Sequence, residues 1–114
     1  MHFLLYPYSS MPHVPELKAE FFKAIGHPIR IRVLELLSED EQAVADLLAA
    51  IDVGQAYLSQ QLGVLRRAGL VTARRDGSRV LYALADPRMA DLLAVSRQML
   101  LDMATATRDE LRSA

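Results

Sequence analysis

Cysteine is absent from all 114 residues, which excludes disulfides and every thiolate metal site. No apolar run approaches the roughly 20 residues that a membrane span requires. The opening Met1-His2-Phe3-Leu4-Leu5-Tyr6 is apolar but short. It lacks a basic n-region and a small-residue cleavage site, so no signal peptide is expected and the cytoplasm is the expected location. Also missing are a nucleophile motif, a Gly-rich phosphate loop and paired catalytic histidines, so no enzyme is expected. Charge of one sign is scarce overall: 13 Lys and Arg stand against 14 Asp and Glu, for a net of -1. That balance by itself does not suggest a nucleic-acid partner.

The distribution of charge is more telling than its sum. Between Gln55 and Arg79 stand Arg66, Arg67, Arg74, Arg75 and Arg79 against Asp76 alone, a net of +4 that leaves -5 for the rest of the chain. One basic segment on an acidic body suits a DNA-facing surface, and a solvated charged hairpin shows the same pattern. With 52% apolar and 24% charged residues the composition is ordinary for a globular chain, and the length suits one domain. A core this small gains from burial against a second subunit.

Residues 1–15 hold Pro7, Pro12 and Pro15 among His2, Tyr6, Tyr8 and His13, and read as an extended arm. The folded domain is expected over residues 16–112. Its first helix begins at Glu16, with Leu17, Phe21, Phe22 and Ile25 on one face. Gly26 stops it and Pro28 opens a second helix that runs to about Leu37. A polar connection follows at residues 38–41. A third helix is predicted over residues 43–51 and a fourth over residues 55–68, ended by Gly69. The period then changes to that of two strands, residues 71–75 and 79–84, joined at Asp76-Gly77. Pro87 opens a last helix that ends near Arg112. The predicted fold is mainly α with a β-hairpin wing: a winged helix-turn-helix of about five helices and two antiparallel strands.

In such an arrangement the fourth helix enters the major groove of double-stranded DNA. Leu58, Leu62 and Leu65 supply its inner face, and Gln55, Tyr57, Ser59, Gln60 and Gln61 its outer face. Gln can pair bidentately with adenine, and Ser can donate or accept at several bases. Surface glutamines are also commonly just solvated. Arg66 belongs to the same basic stretch. Arg74, Arg75 and Arg79 flank the hairpin turn, where arginines reach phosphates or a narrow minor groove, or blunt an exposed edge strand.

Three segments together resemble the ArsR/SmtB family of bacterial transcriptional regulators. LSQQLGVLRRAGLV at residues 58–71 resembles its recognition helix, RRDGSRVLYAL at residues 74–84 its wing, and AIGHPIRIRVLELL at residues 24–37 its second-helix motif. With the linking residues they cover about residues 17–84. One departure is Gln61, where the family often has His. The resemblance implies a homodimer packed through the first and last helices, with Leu17, Phe21, Leu92, Leu93, Met99, Leu100 and Met103 in the interface. It also implies an imperfect palindromic operator, repression in most members, and an inducer that is often a metal ion.

The usual metal sites of the family are missing here. They use cysteines, or carboxylates and histidines on the last helix, and this chain has no Cys and no His on that helix. His27 lies in the His-Pro motif and reads as structural. His2 and His13 on the arm, with Asp91 and Asp102 of the last helix, form the candidate metal set; Asp86 and Glu110 lie within the same reach. Imidazole and carboxylate ligands suit nickel or zinc. Other effectors, or none, stay open, and Met89, Met99 and Met103 read as core or dimer interface. A winged helix that binds protein instead of DNA is the alternative from another class, and salt dependence of DNA binding separates the two.

Overall fold

The computed structural model describes residues 13–113. Among them lie α1 (Val14–Ile25), α2 (Pro28–Glu39), β1 (Gln42–Ala43), α3 (Val44–Ala50), α4 (Gln55–Arg67), β2 (Val71–Asp76), β3 (Arg79–Leu84) and α5 (Arg88–Ser113). This is the expected winged helix-turn-helix, with one strand more than predicted. Residues 42 and 43 form β1, which pairs antiparallel with β3 in a sheet of order β1-β3-β2. Two residues are too short to display a period of two, so the strand left no pattern to read. Helix α1 starts two residues before the expected boundary, because Pro15 sits in its first turn, where a missing N–H costs nothing.

The helix ends follow from particular residues. His27 caps α2: its Nδ1 accepts the N–H of Ile29 at 3.1 Å. Helix α4 closes through Gly69, whose φ of 76° lies in the left-handed region. The N–H of Gly69 then reaches the Arg66 carbonyl, and that of Leu70 reaches the Leu65 carbonyl, both at 3.0 Å. The wing turn differs by one residue from expectation. Asp76 pairs with Arg79, so the two-residue loop is Gly77-Ser78, with Gly77 at φ 63° in the first loop position.

Leu34, Leu47, Leu58, Leu62, Leu65 and Val33 form the fully buried centre, drawn from α2, α3 and α4. Each such side chain contributes about 1.5–3 kcal/mol by leaving water. Ile25, Leu70, Val71, Leu81 and Met89 close the core from α1, the turn after α4, the sheet and the start of α5. Beyond Leu93 every described residue of α5 is exposed in the single chain. No helix among the described residues is long and apolar enough to cross a membrane.

Asp86 anchors the entry to α5. Its Oδ1 accepts the Arg88 backbone N–H at 2.9 Å, and its carboxylate takes the Arg88 guanidinium at 2.7 Å. The hydrogen bond from the Arg88 side chain, then that from its backbone, holds the Asp86 carboxyl down from 3.8 to about 2. A lowered folded value means stability that is present above the unfolded value and lost as pH falls through the folded one. Asp86→Ala is therefore expected to lower Tm at pH 7, with the difference from the parent chain shrinking between pH 4 and pH 2. Circular dichroism melts at both ends of that range check it; a difference independent of pH would remove the anchor.

Candidate nucleic-acid interface

Helix α4 turns Leu58, Leu62 and Leu65 into the core, and its 100° per residue places Gln60 on the opposite side. Gln55 and Ser59, one turn apart, occupy one exposed flank. With Ala45 at the start of α3 and Ser78 and Arg79 of the wing, they line a concave surface of about 360 Å³. An amide, hydroxyls and a guanidinium thus face one open space. That set can pair with base edges on one side and with phosphate on the other.

Gln61 does not belong to that face. It is 6% exposed, and its Oε1 accepts a hydrogen bond of 2.8 Å from Arg30 Nη1. The same guanidinium donates from Nε to the Ala24 carbonyl at 2.6 Å and from Nη2 to the Lys23 carbonyl at 3.3 Å. Arg30 therefore joins the end of α1 to α4, and the expectation that Gln61 reads bases is corrected. Tyr57 is partly drawn in as well. Its hydroxyl lies 2.9 Å from His27 Nε2. Because His27 Nδ1 accepts from the Ile29 N–H, the proton of the neutral ring sits on Nε2 and is donated to the tyrosine oxygen. The Tyr57 ring stays exposed, but its hydroxyl is directed to α2.

The wing arginines differ from one another. Arg74 donates from Nε to Glu41 Oε2 at 2.9 Å and from Nη2 to Oε1 at 2.7 Å. These hydrogen bonds hold the Glu41 carboxyl below the usual carboxylate range. The two donors expected to face a phosphate are thus occupied. Arg79 approaches Asp76 only to 3.7 Å. Arg75 forms no ion pair among the described residues, and Arg66 and Arg67 are exposed in the last turn of α4.

The model of the bacterial regulatory protein arsR family matches residues 27–73, from the cap of α2 into β2. HTH-type transcriptional regulator Rv0081 of Mycobacterium tuberculosis is 53% identical over 103 residues, 86% of this chain and 90% of its own. The chain belongs to the ArsR family. The crystal structure of Rv0081 superposes with a TM-score of 0.78 at 49% identity, over 84% of this chain and 97% of that one. A probable mercury resistance operon repressor of Streptomyces lividans is 35% identical, over 81% of this chain and 74% of its own. The homodimeric winged helix-turn-helix DNA-binding domain Mb0332 of Mycobacterium bovis matches with a TM-score of 0.69 at 32% identity, over 81% of this chain and 84% of that one. The ArsR family consists of DNA-binding transcriptional regulators and not of enzymes.

Other expected residues fall as follows. His2 lies outside the described residues. His13 precedes α1 with its Nδ1 3.2 Å from Glu16 Oε2. Asp91 and Asp102 share one side of α5, but eleven residues separate them, which is about 16 Å along a helix. One protomer therefore cannot bring both to one ion. Asp102 instead accepts the Gln98 side-chain N–H at 2.9 Å. No group of three or more His, Cys, Asp or Glu side chains is assembled among the described residues. Leu17, Phe21, Leu92 and Leu93 are half-buried, and Met99, Leu100 and Met103 are about 60% exposed. The sequence reading missed Arg30 and Glu41, whose partners lie 31 and 33 residues away.

Loss of a hydrogen bond to a charged group costs about 1.5–3 kcal/mol, whereas an exposed substitution changes stability by roughly 0.5 kcal/mol or less. Gln61→Ala is expected to lower unfolding stability by the larger amount and Gln60→Ala by no more than the smaller. Urea denaturation followed by circular dichroism tests this; equal stability of the two variants would return Gln61 to the surface.

Proposed function

We propose that this protein is a repressor that binds a palindromic operator as a homodimer. The observation that carries the reading is the concave surface shared by α4 and the wing. Gln55 and Ser59 read base edges there, Gln60 reads them from the outermost face of α4, and Tyr57 offers its ring to a base methyl. Arg75, Arg79 and Arg66 hold the phosphate backbone. The dimer packs through α1 and α5, whose Leu17, Phe21, Leu92, Leu93, Met99, Leu100 and Met103 supply apolar surface that a single chain leaves partly open. Two-fold symmetry then places two α4 helices in successive major grooves, about 34–36 Å apart. The relatives named as repressors support the sign of regulation.

Duplex binding should be tested by fluorescence anisotropy on the DNA upstream of the protein's own gene. Arg75→Ala with Arg79→Ala is expected to weaken binding to every sequence and to flatten the salt dependence, by about 0.9 in log–log slope for each phosphate no longer neutralised. Gln60→Ala is expected to cost about 1–3 kcal/mol at one base position and to relax preference there. An unaltered slope in the first variant excludes the wing from the backbone. Uniform loss in the second makes Gln60 a phosphate contact. Salt-insensitive or absent binding favours the protein-interaction alternative.

Metal responsiveness is the finer part of the proposal. Its ligands are His2 and His13 with carboxylates of α5 from the dimer, a nitrogen and oxygen set that suits nickel before zinc. The support is the chemistry of those side chains. Calorimetric titration with nickel is expected to show heats that vanish in a chain with both His2→Ala and His13→Ala; unchanged heats would leave the regulator without this metal site.

A further inference from the structure

We propose that Glu41 is a positioning residue for the wing, holding Arg74 away from the DNA backbone and so setting the sequence-independent part of the affinity. The inference rests on the DNA-binding reading above. It starts from the sheet order β1-β3-β2, which puts β3 between the strand of Arg74 and the strand that Glu41 precedes. The Arg74 guanidinium reaches to Glu41 instead of toward the tip of the hairpin, and it makes two hydrogen bonds there, at 2.7 and 2.9 Å. This two-pronged grip is the one with which arginine holds a phosphate, so the same donors cannot serve both partners. Glu41 acts as an internal substitute for phosphate.

The surroundings oppose exchange. Glu41 follows Glu39 and Asp40, both exposed, and its own N–H is fixed by Asp40 Oδ1 at 2.7 Å. A phosphate brought to Arg74 in place would meet the Glu41 carboxylate already seated on it and the negative charge of Asp76 on the same strand. Arg75 and Arg79, by contrast, carry no bidentate pair among the described residues. The wing therefore presents cations at its tip and holds one back at mid-strand, where Arg74 pairs with Leu81. Each phosphate neutralised by a protein adds to binding on all sequences and steepens its salt dependence.

The test compares the parent with Arg74→Gln, Glu41→Ala, Glu41→Gln and the Glu41→Ala/Arg74→Gln double variant. Binding is measured by anisotropy from about 50 to 200 mM salt, on a random-sequence duplex and on the duplex upstream of the gene. Arg74→Gln is expected to leave the slope unchanged. Glu41→Ala is expected to steepen it by about 1.8 for a dimer, which is about 12-fold in affinity across that salt range. The double variant should return to the parent slope. Glu41→Gln keeps the shape of the side chain and should steepen the slope in the same direction. A flatter slope in Arg74→Gln would show Arg74 on the DNA with Glu41 present and overturn the proposal. So would an unchanged slope in Glu41→Ala. Should that variant fail to fold, the Arg74→Gln slope decides alone. A parent that binds neither duplex in a salt-dependent way overturns the DNA-binding reading and this proposal with it; a parent that binds normally isolates the failure to Glu41.

Discussion

One guanidinium sets the attitude of the reading helix. Arg30 can only donate hydrogen bonds, and the structure gives it three acceptors: the Lys23 and Ala24 carbonyls and the Gln61 side chain. The last carbonyls of a helix lack intrahelical partners and carry partial negative charge, so a cation at the end of α1 is well placed. Gln61 is the one buried polar side chain among the described residues, and a buried amide without a partner is costly. Arg30 resolves both demands at once. With Gln61 turned inward beside Leu58, Leu62 and Leu65, the rotation of α4 about its axis is fixed. Ser59 and Gln60 then face solvent. A rotation of one residue would bury Gln60 and expose a leucine.

The wing shows why counted charge and available charge differ. The segment from Gln55 to Arg79 carries a net of +4, but Glu41 arrives from 33 residues before Arg74 and takes it in a bidentate pair. Exposed ion pairs in general add little to stability, because water screens them. The weight of this one lies in electrostatics at the surface, where it decides how many cations a phosphate can find. The pair also lies next to β1, the short strand that ties the helix-turn-helix to the sheet. The middle of the hairpin is thus held by the backbone ladder of β1 and β3 and by one ion pair across it.

The sequence made local structure readable and long-range partnership unreadable. Leu58, Leu62 and Leu65 recur at helical spacing, Pro28 suits a first turn, and Gly69 occupies a position whose positive φ disfavours a side chain. Each of these signals is carried within a few residues, so the helices and the wing followed. Gln61 failed because polarity normally marks a surface, and the residue that makes its burial tolerable stands on another helix. Arg74 was legible as a surface cation but not as half of an ion pair, because Glu41 stands 33 residues away. The wing turn was misplaced by one position because Asp-Gly is a strong hairpin dipeptide, yet the register uses Asp76 as a paired strand residue. The metal set joins arm histidines to carboxylates of α5, and no pattern in the sequence shows how an arm meets that helix; within one protomer the rise of α5 separates Asp91 from Asp102.

A surface of this size needs its symmetry mate for reasons of magnitude. In the proposed DNA complex Gln55, Ser59 and Gln60 would give roughly 3–9 kcal/mol of base discrimination, at about 1–3 kcal/mol for each good pair. Serine cannot make a bidentate pair of that quality, so one protomer stays near the lower end. Specific DNA binding typically stands about 4–10 kcal/mol above non-specific binding. One protomer sits at the threshold and two sit within the range. The apolar surface of α5, where Val95, Met99, Leu100 and Met103 are 58–63% exposed, lies on the part of the helix beyond Leu93. Helix α2 packs against both α5 and α4. In the proposed dimer, joined through α1 and α5, the second copy would supply the discrimination that the first lacks.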